Sequence, residues 1–85
     1  MPQVTLYTTP ICGFCAAAKR LLSGKGVAYS EINVMIDPAK KSEMIARANG
    51  RRTVPQIFIG ERHIGGFDDM AALDKTGELD RILAG

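Results

Sequence analysis

The chain of 85 residues has no Trp, two Tyr, three Phe, one His and two Cys. Each shortage excludes something. Without Trp, and with aromatics that do not alternate with basic residues, there is no stacking platform for single-stranded nucleic acid. His63 and two cysteines are too few for an intramolecular zinc site of four protein ligands. No apolar run approaches the ~20 residues that a membrane-spanning helix needs. Met1-Pro2-Gln3-Val4 lacks the basic region and long apolar stretch of a secretory signal, so a cytoplasmic location is expected. An excess of one charge sign is missing too: eleven basic and nine acidic residues give +2, too weak a field to draw nucleic acid.

What is present fits one globular domain over residues 1–85, with 46% hydrophobic and 24% charged residues. The charges are unevenly spread. Residues 1–52 carry eight Lys or Arg against three acids, and residues 53–85 carry three against six. A small anionic ligand would prefer the first half.

Val4-Thr5-Leu6-Tyr7-Thr8 alternates and is β-prone, which predicts a strand stopped by Pro10. From Gly13 the spacing turns helical through Phe14, Ala18, Leu21 and Leu22, and Gly24 and Gly26 end the helix. Residues 27–33 alternate again and predict a second strand, with Val27, Tyr29 and Ile32 inward. Asp37-Pro38 reads as a helix start, with Asp as N-cap and Pro at the first helical position. Met44, Ile45 and Ala48 form that helix's apolar stripe, and Asn49-Gly50 stops it. Gln56-Ile57-Phe58-Ile59 and Arg62-His63-Ile64 predict a hairpin around Gly60-Glu61. Asp68 or Asp69 then caps a helix carrying Met70 and Leu73, and Thr76-Gly77 separates it from a last stripe of Leu79, Ile82 and Leu83. The order β-α-β-α-β-β-α(α) predicts an α/β fold: a mixed four-stranded sheet flanked by helices, opened by a parallel pair. Tyr7, Met44, Phe58 and Met70 are expected in the core, with His63 at a partly exposed edge and Lys19 in solvent.

The chemistry sits in Cys12-Gly13-Phe14-Cys15, at the seam between strand one and helix one. A C-x-x-C beside a βαβ pattern reads as a redox dithiol. Cys12 falls at the helix start, where unpaired N–H groups and the helix dipole favour a thiolate. Cys15 falls one turn further in, within reach and more buried, so one cysteine attacks and the other resolves. A purely structural disulfide would close a tiny loop and stabilise little.

Three motifs together resemble the glutaredoxins of the thioredoxin fold: C-x-x-C after strand one, Thr53-Val54-Pro55 before strand three, and Gly65-Gly66-Phe67-Asp68-Asp69 before the next helix. The resemblance covers nearly the whole chain. It implies a glutathione-dependent thiol–disulfide oxidoreductase with Cys12 and Cys15 catalytic and glutathione as co-substrate. Its partners would be glutathionylated or disulfide-containing proteins, and the chain a monomer. A cis bond before Pro55 would set the Val54 backbone beside the Cys12 sulfur. Phe14, Thr53, Val54 and Pro55 would line the glutathione site. The γ-glutamyl carboxylate would sit at Gly66-Phe67-Asp68, with Asp68 or Asp69 facing its ammonium group, and Arg51 or Arg52 would meet the glycyl carboxylate. The sequence departs from the family in Thr9, where many members have a basic residue, and in Gly13-Phe14, where many dithiol members have Pro-Tyr. C-G-F also occurs in monothiol relatives that hold iron–sulfur clusters. The resemblance therefore carries an alternative, a homodimer bridged by a 2Fe–2S cluster on Cys12 and glutathione.

Overall fold

The computed structural model describes residues 2–85. Elements follow in the order β1 (Val4–Thr8), α1 (Gly13–Gly24), β2 (Ser30–Asn33), α2 (Pro38–Arg47), β3 (Gln56–Ile59), β4 (Arg62–Gly65), α3 (Phe67–Lys75) and α4 (Glu78–Ala84). The four strands form one mixed sheet in the order β2-β1-β3-β4. β1 pairs in parallel with β2, Tyr7 opposite Ile32, and antiparallel with β3, Leu6 opposite Ile57. β4 returns antiparallel to β3, with a register shift between Ile57 and Phe58. This is the α/β sandwich that the sequence pattern predicts.

Alternation along the strands decides which layer each residue joins. Val4, Leu6, Ile57 and Ile59 pack with Ala18, Leu22, Met70, Leu79 and Leu83, which places α1, α3 and α4 on one face. Tyr7 and Phe58 point the other way and pack with Val34, Met44 and Ala48, which places α2 there. Tyr7 and Phe58 meet edge to face, with ring centroids 5.5 Å apart. Arg47 lies over the Phe58 ring at 4.2 Å and donates to the Tyr7 hydroxyl at 2.8 Å. Tyr7, Met44, Phe58 and Met70 are all buried, as expected.

Two element boundaries differ from expectation. The second strand begins at Ser30, not Val27. The Val27 N–H donates to Leu22 O at 3.0 Å, closing the end of α1, so it takes no part in the ladder. Val27 is nevertheless buried, which is the inward character that its alternation shows. Helix α3 begins at Phe67 with Gly66 as N-cap, so neither Asp68 nor Asp69 is the N-cap residue. Asp69 caps from inside the first turn instead, its Oδ2 accepting the Gly66 N–H at 2.9 Å. Elsewhere the local chemistry behaves as read. Asp37 Oδ1 accepts the N–H groups of Ala39 and Lys40 at 3.1 and 3.2 Å. Lys25 at the end of α1 bridges Asp74 and Asp80, at 2.7 and 2.8 Å, fastening α1 to α3 and α4. Among the described residues, no helix is long and apolar enough to cross a membrane.

Candidate active site

Cys12 is the N-cap of α1, with an extended backbone (φ −103°, ψ 114°). Its side chain occupies the place that Ser or Asp takes in most helices. The Cys15 N–H donates to Cys12 Sγ at 3.2 Å, satisfying one of the helix's orphan donors. An N–H aimed at sulfur stabilises a thiolate more than a thiol, because the acceptor then carries full charge. The Val54–Pro55 bond is cis, and Val54 O lies 3.6 Å from Cys12 Sγ. Cys12 is partly exposed and Cys15 is buried, both as free thiols. Burial pushes the Cys15 thiol up to about 12, and the neighbouring Cys12 adds to the rise. The two sulfurs thus differ sharply in environment: one is open and held by an N–H, the other is protonated under the helix.

Beside Cys12 opens a cleft of about 350 Å³. Its walls bring together Phe14 from α1, Arg51, Thr53, Val54 and Pro55 from the loop before β3, and Gly66, Phe67, Asp68 and Asp69 from the start of α3. Phe14 and Phe67 stack at its lip, with centroids 6.4 Å apart. Arg51 Nη1 pairs with Asp69 Oδ2 at 3.2 Å, so both lie at one end of the cleft. The Gly66 N–H, and then the Arg51 guanidinium, hold the Asp69 carboxyl below the usual carboxylate range. Asp68 lines the same cleft, is exposed, and is the cleft's second carboxylate.

Arg52 is not brought there. It lines a second cleft of about 550 Å³ with Thr9, Val34, Met35, Pro38, Lys41 and Val54. Val54 is the one residue common to both clefts. Adjacent arginines therefore serve opposite sides of the Val54 backbone. Lys19 keeps about a third of its side chain in solvent and pairs with Glu31 at 3.0 Å, and Glu31 also accepts from the Thr8 hydroxyl at 2.6 Å. The Thr8 hydroxyl, and then Lys19, hold the Glu31 carboxyl low. His63 stacks on Phe58 at 4.9 Å, and burial, with Arg51 and Arg47 nearby, lowers its pKa.

Sequence reasoning did not single out Lys41 or Gln56. Lys41 had no signal beyond its place in a basic turn of α2. Gln56 had one, a polar side chain opening the apolar run Ile57-Phe58-Ile59, and it is fully buried.

The model of the family described as glutaredoxin matches residues 4–64. Glutaredoxin 3 of Escherichia coli K12 is 52% identical over 83 residues, covering 98% of this chain and 99% of the relative. The solution structure of glutaredoxin from Brucella melitensis is 48% identical with a TM-score of 0.85, covering 98% of this chain and 89% of that one. The crystal structure of a buckwheat glutaredoxin–glutathione complex is 29% identical with a TM-score of 0.88, covering 98% of this chain and 77% of that one. The chain belongs to the glutaredoxin family, the glutathione-dependent thiol–disulfide oxidoreductases.

Proposed function

We propose that the chain works in the cytoplasm as a monomer, reducing glutathionylated proteins and protein disulfides through Cys12. The observation that carries this reading is the asymmetry of the two thiols: Cys12 open, capped by the Cys15 N–H and beside Val54 O, Cys15 buried with its thiol pushed up to about 12. Cys12 thiolate attacks the glutathione sulfur of a mixed disulfide. The Cys12–glutathione disulfide forms, the disulfide between the glutathione sulfur and the protein's sulfur breaks, and the protein thiolate leaves and takes a proton. A second glutathione thiolate attacks the bound glutathione sulfur, releasing oxidised glutathione and regenerating the Cys12 thiolate. With a protein disulfide, the bond formed is Cys12–protein. Cys15 then loses its proton and attacks Cys12 Sγ, which frees the protein thiol and leaves a Cys12–Cys15 disulfide for two glutathiones to reduce. A Cys15 thiol kept protonated by burial waits while glutathione acts first.

Glutathione is extended and carries charge at both ends, and the two clefts on either side of Val54 suit that shape. The Val54 backbone pairs with its central cysteinyl unit. Its γ-glutamyl carboxylate takes the N–H groups at the start of α3, with the Asp68 carboxylate facing the ammonium. Asp69 is already engaged by Gly66 and Arg51, so it holds this end of the cleft in place. Arg52 and Lys41 take the glycyl carboxylate in the second cleft.

The test is a glutathione- and glutathione-reductase-coupled reduction of a small glutathione mixed disulfide. Cys12→Ser abolishes turnover. Cys15→Ser keeps it and loses most activity on intramolecular protein disulfides. A dead Cys15→Ser in the mixed-disulfide assay refutes the route. A second reading, the cluster-bridged dimer, draws on the apolar rim beside the one accessible thiol, where Ile11 is 85% and Phe14 62% exposed.

A further inference from the structure

Gln56 is 0% exposed, at the start of β3 and directly after Pro55. An amide in that position is tolerated only if both of its ends are bonded. They are. Gln56 Nε2 donates to Thr53 O at 3.0 Å and to Thr53 Oγ1 at 3.3 Å. Its Oε1 lies 2.7 Å from His63 Nε2. The Thr53 carbonyl can only accept, so the NH₂ end must face Thr53 and the oxygen must face His63. His63 Nε2 therefore carries the hydrogen and donates it, in the neutral ring as in the charged one. The ring itself is seated on Phe58, with planes 26° apart.

The bond from Gln56 back to Thr53 spans the two residues between them, Val54 and Pro55. Val54 presents its carbonyl to Cys12 Sγ and lines both clefts. We propose that Gln56 is a positioning residue for glutathione: it ties down the Thr53–Pro55 turn, and His63 holds the Gln56 amide in the orientation that this requires. Neither side chain lines the cleft beside Cys12. The inference rests on the glutathione reading above. A turn tied in advance presents the Val54 backbone ready to pair. A loose one must be ordered when glutathione binds, and that penalty falls on binding.

The variants are Gln56→Leu, close in volume and without the amide, and His63→Phe, which keeps the ring on Phe58 and drops the donor. Steady-state kinetics in the coupled assay give KM for the glutathione mixed disulfide and kcat. Alkylation of Cys12 by iodoacetamide reports the nucleophile without glutathione. Gln56→Leu raises KM about tenfold, the size of one lost buried hydrogen bond. Its kcat and Cys12 alkylation rate stay within about twofold of wild type. His63→Phe raises KM in the same direction, and the double variant is no worse than Gln56→Leu, because His63 acts through Gln56. An unchanged KM in both single variants overturns the proposal, as does a loss of kcat and Cys12 alkylation in parallel with stability. If Gln56→Leu fails to fold, His63→Phe alone decides the matter by the same KM criterion. A wild-type protein that reduces a mixed disulfide of a thiol other than glutathione as fast as the glutathione one would instead overturn the glutathione reading itself.

Discussion

Gly65→Ala tests how the end of the cleft beside Cys12 is built. Gly65 closes β4 at φ +115°, a backbone conformation that L side chains rarely adopt. A Cβ there would overlap Asp69 Oδ2 and sit 2.8 Å from Arg51 Nη1. The Asp69 carboxylate is the end of a flexible side chain and can swing aside, but the Gly66 N–H then loses its acceptor. Backbone strain at such a position costs about 1–3 kcal/mol. Loss of the helix cap costs about 0.5–2 kcal/mol. The Arg51–Asp69 pair, with both side chains about half exposed, adds little. The sum is about 1.5–5 kcal/mol, and at about 4–8 °C per kcal/mol in a domain of this size the Tm falls by at least about 6 °C. Thermal unfolding by circular dichroism is the assay. Asp69→Ala, which removes the cap without the strain, should give less than half of that fall. The displaced carboxylate also disorders the cleft, so KM for the glutathione mixed disulfide rises in both variants. A Gly65→Ala protein melting within about 3 °C of wild type would refute both the strain argument and the capping argument.

Other outcomes follow from the same chemistry. In the reduced protein at pH 7, iodoacetamide should modify Cys12 alone, and mass spectrometry should find a second adduct only at strongly alkaline pH; equal labelling at neutral pH contradicts the burial of Cys15. The Cys15 thiol titrates at about 12 when folded, against an ordinary 9.0, so above pH 9 the folded chain holds a proton that the unfolded chain has lost. Stability should therefore fall as pH rises from about 9 to 12, and Cys15→Ala should flatten that part of the curve. Asp37→Ala removes the acceptor for two N–H groups of α2 and should cost about 1 kcal/mol, read as a Tm lower by about 4–8 °C. For the cluster reading, anaerobic reconstitution with iron, sulfide and glutathione should give a coloured dimer whose yield rises in Cys15→Ser and vanishes in Cys12→Ser. A colourless monomer in both wild type and Cys15→Ser removes that reading.

Local chemistry made much of this protein legible in its sequence. Alternation over Val4–Thr8, the Asp37-Pro38 start, the Asn49-Gly50 stop and the C-x-x-C at a helix start all depend on residues within one or two turns of one another. The element order and the place of Cys12 follow from them. Resemblance of motifs supplied the cis Val54–Pro55 bond, which no propensity could. Only the tertiary structure decided the rest, because it depends on where separate segments meet. Cys12 finds Val54 O across 42 positions of sequence. Arg51 and Arg52 are neighbours in the chain, yet the loop turns them into different clefts, and a side chain's direction in a loop is set by packing. Asp69 caps Gly66 from within α3 because the helix starts at Phe67, one residue ahead of Asp68, which puts Asp69 at its third position. Gln56 is the polar residue that opens the apolar strand β3. The fold buried it, and burial obliged its amide to bond at both ends, which ties the Thr53 turn to His63.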